Sequence, residues 1–247
     1  MGSALIKCAG EFSISKSTLS SPFIPLSNIK AYYKLDDNGS GDVSLVDSTG
    51  GGRTLVNAYD VTLGSGKING CASFDGTQIL SNNDMSLGSG NFAISLWVKP
   101  NGDNYSYPAF LGTRQGYENN SNAFGFGYAF EQATPDGIYW FSDSQGDYAP
   151  FVIINPNVPP DNTWSHIVAS RTDGILTVYY NGGNPVSGAD SRNYSVPSFG
   201  IGGSLYVEQG QNTTGLLDEI GIWSKGLTAY EVGLLYNSGN GLAYPFA

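Results

Sequence analysis

An all-β sandwich is the fold class this sequence predicts, and three observations predict it. Apolar and polar residues alternate with a period of two through several short runs, most clearly in Phe92-Ala93-Ile94-Ser95-Leu96-Trp97-Val98. Clusters of Gly, Asn, Asp and Ser punctuate the whole chain, and the 34 Gly in 247 residues are roughly twice the average usage of about 7%. Only 13% of the residues are charged, while Tyr and Phe number 16 and 12, so aromatic rings stand where charge normally would. A chain of this length suits one large sandwich with a full core.

The elements follow in order. Residues 1–28 form a Ser-rich arm ending in Pro22 and Pro25, and residues 29–247 form one domain, without an internal repeat or linker. Ala31-Tyr32-Tyr33-Lys34-Leu35 reads as a strand, followed by the acidic turn Asp36-Asp37-Asn38-Gly39-Ser40-Gly41-Asp42. Cys71 to Asp75 and Phe92 to Lys99 are further strands. In the second, Phe92, Ile94, Leu96 and Val98 share one face and Ala93, Ser95 and Trp97 the other. Trp164 to Arg171 and Ile175 to Asn181 form a hairpin across Thr172-Asp173-Gly174, since Asp-Gly between such runs marks a tight turn. These three strands predict a core face of Phe92, Ile94, Leu96, Val98, Ile167, Ala169, Leu176 and Val178. Leu216 to Ser224 is a late strand. Thr228 to Tyr236 is a short helix, with Thr228 as cap and Glu231 three residues on.

Charge and hydropathy exclude several functions. The formal net charge of -10 repels phosphate backbones and anionic membrane surfaces, so nucleic acid is not an expected partner. No apolar run reaches the roughly 20 residues of a membrane-spanning helix. The start, MGSALIKCAGEF, lacks the apolar core of a signal peptide and has Ile6 where a myristoylation pattern needs Ser or Thr. Cys8 and Cys71 are too few and too far apart for a disulfide framework or a metal knuckle, and two buried thiols or one bridge remain open.

Further pieces carry a resemblance. In chain order they are Ala31 to Asp36 with Val46-Asp47-Ser48-Thr49-Gly50, Gly66 to Gly76, Asn91 to Pro100, Trp164 to Ala169, Leu176 to Gly182, Gly215 to Trp223, and Leu227 to Val232. Their order and spacing across residues 29–236 resemble the laminin-G-like, concanavalin A-like jelly-roll superfamily. The resemblance implies two antiparallel sheets packed face to face, one short C-terminal helix, an extracellular or surface location, carbohydrate or protein ligands, and in many members a structural calcium ion. It raises calcium for Asp75 and Asp218 above Asp36 and Asp47. All four lie at strand ends or Gly turns, where carbonyl oxygens are also free, and turn capping is the competing role.

Ligand contacts are expected between residues 101 and 160, where the resemblance is weakest and Tyr, Asn and Gly abound. In Phe124-Gly125-Phe126-Gly127-Tyr128-Ala129-Phe130, the four aromatics share one strand face and Gly125, Gly127 and Ala129 the other. The aromatic face is expected to fill the core and the small face to line an outer groove, since Gly in a strand often marks a close approach. Tyr105, Tyr107, Tyr117, Trp140 and Tyr148 are expected around that groove, as rings for the apolar faces of sugars. His166, the single histidine, is read as structural or groove-lining.

Catalysis finds little support. Retaining glycosidases need two carboxylates about 5–5.5 Å apart, which on this fold commonly come from Glu-x-Asp-x-Glu on one strand. Asp218-Glu219-Ile220-Gly221 offers adjacent acids, which regular alternation sends to opposite faces. No G-x-S-x-G motif occurs to support a serine triad, and nothing ties His166, Arg171 and Tyr179 into a lyase site. The expected function is a non-catalytic carbohydrate-binding domain. The alternatives are an adhesion or virion-surface domain that binds protein or itself, and a polysaccharide hydrolase or lyase.

Overall fold

The structure is a computed structural model that describes residues 28–102, 108–113, 122–129, 136–144, 147–203 and 212–246. The strands are β1 Ile29–Tyr33, β2 Val56–Asn57, β3 Thr62–Ser65, β4 Gly70–Asp75, β5 Leu80–Asn82, β6 Phe92–Pro100, β7 Ala109–Gly112, β8 Gly125–Ala129, β9 Gly137–Ser144, β10 Asp147–Asn155, β11 Ser165–Thr172, β12 Ile175–Tyr180, β13 Gly183–Ala189, β14 Phe199–Ile201 and β15 Thr214–Trp223. One helix follows, α1 Ala229–Tyr236.

Two antiparallel sheets stack into a jelly-roll sandwich. The first runs β13-β12-β11-β6-β15-β4-β3, with β1 also paired to the C-terminal half of β15. The second runs β10-β9-β8-β7-β14-β5-β2. The predicted inward face is in place: Ile167 sits opposite Leu96, Ala169 opposite Ile94, and Ala169 also opposite Val178, all in the inter-sheet core. The β11–β12 hairpin turns through Asp173 and Gly174 at φ 49 and 76, the left-handed pair such a two-residue turn requires. Phe124, Phe126 and Tyr128 supply the facing layer from the second sheet, as their alternation predicts.

The central strands of the first sheet, β11, β6 and the C-terminal half of β15, are buried on both faces. A second apolar cluster of Tyr32, Ala93, Val168, Tyr179, Trp223, Leu227, Val232 and Leu235 lies on the sheet's outer side. Helix α1 covers it, held by a complete capping box between Thr228 and Glu231. The tail then continues across the sheet. Tyr244 stacks on Tyr32 at 5.3 Å, and Phe246 meets both Tyr32 and Trp223. Cys71 is a buried free thiol, which burial pushes up to about 12; Cys8 lies outside the described residues.

Candidate functional site

The outer face of the second sheet is built differently. Residues directly opposite in antiparallel strands point to the same side. The register makes one continuous row across the sheet: Val56 opposite Ser81, Ser81 opposite Gly200, Gly200 opposite Gly112, Gly112 opposite Gly125, and Gly125 opposite Phe141. Their chain neighbours Leu55, Leu80, Ile201, Leu111, Phe126 and Trp140 all belong to the inter-sheet core, so the row faces outward. Three adjacent strands thus carry a glycine in this row. The glycines are buried, and the row rises to half-buried Ser81 and Phe141 and to Val56, 53% exposed.

The small face expected on β8 is only half present. A Cβ on Gly125 would meet a single atom, Phe141 Cδ1, at 3.8 Å. A Cβ on Gly127 would meet the Pro108 carbonyl oxygen at 2.2 Å and Ala109 Cα at 2.9 Å. The register shift between Ala109 and Leu111 brings that carbonyl over Gly127, where it accepts the Tyr128 N–H at 3.2 Å. Both glycines mark close approach, but at Gly127 the approaching group is the protein's own backbone, which corrects the expected groove there.

Trp140 is a second correction. It was expected beside the ligand, yet it is fully buried, stacked on Phe124 at 4.5 Å with its indole N–H donating to Tyr194 Oη at 3.0 Å. Phe141, the next residue, takes the outward position. Four apolar residues in a row, Ile138 to Phe141, carry no alternation from which to choose. Tyr105, Tyr107 and Tyr117 lie outside the described residues, as do the side chains of Tyr148 and Ala129. A signal for the missed Gly200 was present in the apolar–Gly–apolar triplet Phe199-Gly200-Ile201, which repeats the pattern of Phe124-Gly125-Phe126.

His166 is not on this face. It lies 1% exposed on the outer side of the first sheet, with Nε2 within 2.8 Å of Ser95 Oγ and rings of Trp97 and Tyr236 against it. Burial pushes it down to about 3, and Nδ1 has no hydrogen-bond partner among the described residues. Arg171 points the other way, into the core, while Tyr179 is outward, so the three residues weighed for a lyase are split between two faces.

Asp218 lies opposite Trp97 on that same outer side. Here β15 carries a bulge: two residues, Glu219 and Ile220, face one on β6, with Glu219 at φ 50. The bulge overturns the expectation that adjacent acids diverge. Ile220 enters the core, while Glu219 turns outward and accepts the Tyr32 hydroxyl proton. Burial raises Asp218 to about 8, with the Glu219 charge adding to it, and raises Glu219 to about 7. Asp218 Oδ1 and Glu219 Oε1 have no partner among the described residues. Both groups are sealed, at 0% and 3% exposure, and present no carboxylate pair to a polysaccharide.

The four aspartates proposed for calcium do not form one shell. Asp47 Oδ1 accepts from Tyr32 N and from the backbone and hydroxyl of Thr49, and Asp75 Oδ1 accepts from the backbone and hydroxyl of Thr77. Both are turn caps. Asp75 sits opposite Thr214, four residues from Asp218 along β15, or about 13 Å away. Asp36 and Asp218 each hold one backbone N–H of the β3–β4 turn, Gly70 and Ile68. Among the described residues no three His, Cys, Asp or Glu side chains converge to hold a metal ion. Asp218, with its buried spare oxygen, is the one aspartate of the four with unused donor capacity in the interior.

Two antiparallel sheets packed face to face, with one short C-terminal helix, define a jelly-roll β-sandwich. The chain belongs to the concanavalin A-like lectin/glucanases superfamily, whose model matches residues 72–233. No curated protein sequence matches the chain. Among solved structures it is similar to domain 4 of AbnA, an extracellular arabinanase of family GH43 from Geobacillus stearothermophilus, in complex with arabinotriose. The two share 22% identity and a TM-score of 0.65, over 83% of this chain and 97% of that one. It is also similar to the binding domain of Paraclostridial Mosquitocidal Protein 1, at 16% identity and TM-score 0.65 over 87% of this chain and 53% of that one. The receptor-binding domain of botulinum neurotoxin type G gives 18% and 0.60 over 85% and 51%. The chain spans about half the length of these two toxin domains, and the likeness in all three is one of fold.

Proposed function

We propose that this chain is a non-catalytic carbohydrate-binding domain of a secreted or surface protein, with its ligand on the outer face of the second sheet. The observation that carries the reading is the row Gly200–Gly112–Gly125 ending at Phe141. At Gly125 the missing side chain leaves room beside Phe141, whose ring gives an apolar platform of the kind that ring-shaped polyols use. Two further facts support it: the similar arabinanase domain binds arabinotriose, and no helix among the described residues is long and apolar enough to cross a membrane. The sealed Asp218–Glu219 pair argues against hydrolysis. For calcium, the reading narrows to Asp218, completed by backbone carbonyls.

The test is calorimetry against a panel of neutral oligosaccharides that includes arabinotriose, with wild type, Gly125→Leu and Phe141→Ala. Binding by wild type that both variants lose, at unchanged Tm, is the expected result. Binding that survives both substitutions moves the site elsewhere. No binding to any glycan favours the protein-binding alternative, and release of shortened products from a polysaccharide favours an enzyme.

A further inference from the structure

One polar chain crosses the sandwich core. Arg171, on the inward face of β11 and 1% exposed, spends its guanidinium donors on the carbonyls of Gly88, Gly90 and Arg192 and on Asp190 Oδ2 at 3.2 Å. It lies between the rings of Phe92 and Tyr194, at 4.6 and 5.2 Å. Tyr194 donates its hydroxyl proton to Asp190 Oδ2 at 3.0 Å and accepts the Trp140 indole N–H at 3.0 Å. The chain therefore runs from the first sheet, through the loop after β13, to β9 of the second. A buried ion pair is weak support for stability, because desolvation offsets its attraction, and its best-attested use is to specify one arrangement among several.

β9 needs such a device. Ile138, Tyr139, Trp140 and Phe141 are all apolar, and a slip of one residue exchanges the inward and outward pairs. Apolarity within these four residues does not choose between the registers, although the slip would also carry the Tyr139 hydroxyl and Asp143 inward. The native register places the Trp140 indole N–H in the core, where it must find an acceptor or stay unpaired. Tyr194 Oη is that acceptor, and Asp190 and Arg171 hold it in place.

We propose that Tyr194 is a positioning residue: by accepting the Trp140 indole N–H inside the core it selects the β9 register that turns Phe141 outward beside Gly125. The consequence for ligand binding rests on the function proposed above; the register does not, and is read separately.

The experiment follows the Trp140 indole N–H and the Phe141 ring by NMR in wild type and Tyr194→Phe, with oligosaccharide affinity measured on the same samples. In Tyr194→Phe the indole N–H is expected to shift and to exchange with solvent at least about tenfold faster, the size expected from orphaning one buried donor. The Phe141 signals are expected to split or broaden, and affinity to fall about tenfold. Adding Trp140→Phe, which removes the orphaned donor, is expected to return Phe141 to a single set of signals, a rescue that a general loss of stability does not give. Unchanged Phe141 signals in Tyr194→Phe overturn the proposal, whatever happens to Tm. Should Tyr194→Phe fail to fold, Asp190→Asn is read in the same way: a smaller shift of the Trp140 and Phe141 signals supports the proposal, and none overturns it. If wild type binds no glycan, the proposed function falls while the NMR arms still decide the register.

Discussion

The outward residues of the first sheet are Tyr32, Trp97, His166, Val168 and Trp223, and helix α1 and the tail to Phe246 lie across them. On the second sheet the outward residues at mid-strand are Ser81, Gly200, Gly112, Gly125 and Phe141, and among the described residues no helix or strand crosses them. One sheet carries large side chains at its centre that must be covered; the other carries glycine at its centre, with Tyr139 and Phe141 to one side. Chemistry follows the same division. Among the described residues four of the six buried polar atoms lacking partners, on His166, Asp218, Glu219 and Trp223, lie on the sealed face. A buried carboxyl or imidazole without a partner responds by shifting its proton affinity, while a glycine floor has nothing to titrate. The sealed face is thus where pH is expected to act, and the glycine face where shape is.

The largest expected effect is the pH dependence of stability, measured as urea midpoints from pH 4 to 9 in chelator. Asp218 and Glu219 are raised in the folded state, to about 8 and about 7. Their contribution is full below the unfolded values near 4 and is lost as pH rises through 7 to 8. His166 is depressed to about 3, so its contribution is full above its unfolded value of about 6.5 and is lost as pH falls toward 3. Summed, the two acids outweigh His166, so stability should fall as pH rises from about 4.5, and more steeply in the alkaline limb above about 6.5, where His166 no longer opposes them. Asp218→Asn should flatten the alkaline limb, and His166→Gln should steepen the fall between about 4.5 and 6.5. If Asp218→Asn leaves the alkaline limb intact, the sealed face is not its source.

The next effect separates two glycines on one strand. Gly127→Leu should cost about 3 kcal/mol or more, because its first carbon already collides with the Pro108 carbonyl and the neighbouring backbone cannot yield cheaply. Gly125→Ala should stay within about 0.5 kcal/mol, because its Cβ meets one ring atom at ordinary contact distance. Chemical denaturation of both variants decides the matter, and equal costs would mean that the floor is as crowded at Gly125 as at Gly127.

Third, Phe141→Ala should weaken oligosaccharide binding by about 2 kcal/mol, the size of a ring anchor, with Tm nearly unchanged. Trp140→Ala should do the reverse, unfolding the protein by about 3–5 kcal/mol as a core aromatic does. Calorimetry and thermal melts on the same pair separate the platform from the core ring. A loss of binding in neither variant would take the ligand off this face.

How much of this could be read from residues alone differs between the sheets for a physical reason. Phe92 to Val98 alternates clearly, Asp173-Gly174 marks the β11–β12 turn, and Thr228 with Glu231 marks the helix start, so that inward face, the hairpin and the helix with its capping box are legible. The second sheet loses that signal at β9, where four apolar residues follow one another and a hydrogen bond to Tyr194, 54 residues away, decides which ring is inside. Gly127 reads as empty space because a sequence does not show which backbone crosses above it. Asp218 and Glu219 read as opposed because a bulge of one residue is silent in a two-residue period. Each miss turns on a contact distant in sequence or on an irregularity of backbone.

The smallest effect concerns calcium and returns to the sealed face. An ion bound only by the folded state raises stability by mass action, about 1.4 kcal/mol at ten times its dissociation constant. For a domain of this size that is about 3–6 °C in Tm. Asp218 has a spare buried oxygen beside a second carboxyl, so a cation there would offset the repulsion between them and also shrink the alkaline limb of the pH profile. Asp75 and Asp47 have Oδ1 bound in their own turns, and their removal should not change the response to calcium. The measurement is the difference in Tm between calcium and chelator for wild type, Asp218→Asn and Asp75→Asn at pH 9, above the raised values of both acids. A calcium shift in wild type and Asp75→Asn that Asp218→Asn abolishes assigns the ion to the sealed face. A shift that Asp75→Asn abolishes instead would put the ion at the β4–β5 turn, and equal melting in calcium and chelator for wild type would leave the Asp218 pair as a protonated structural group without a metal.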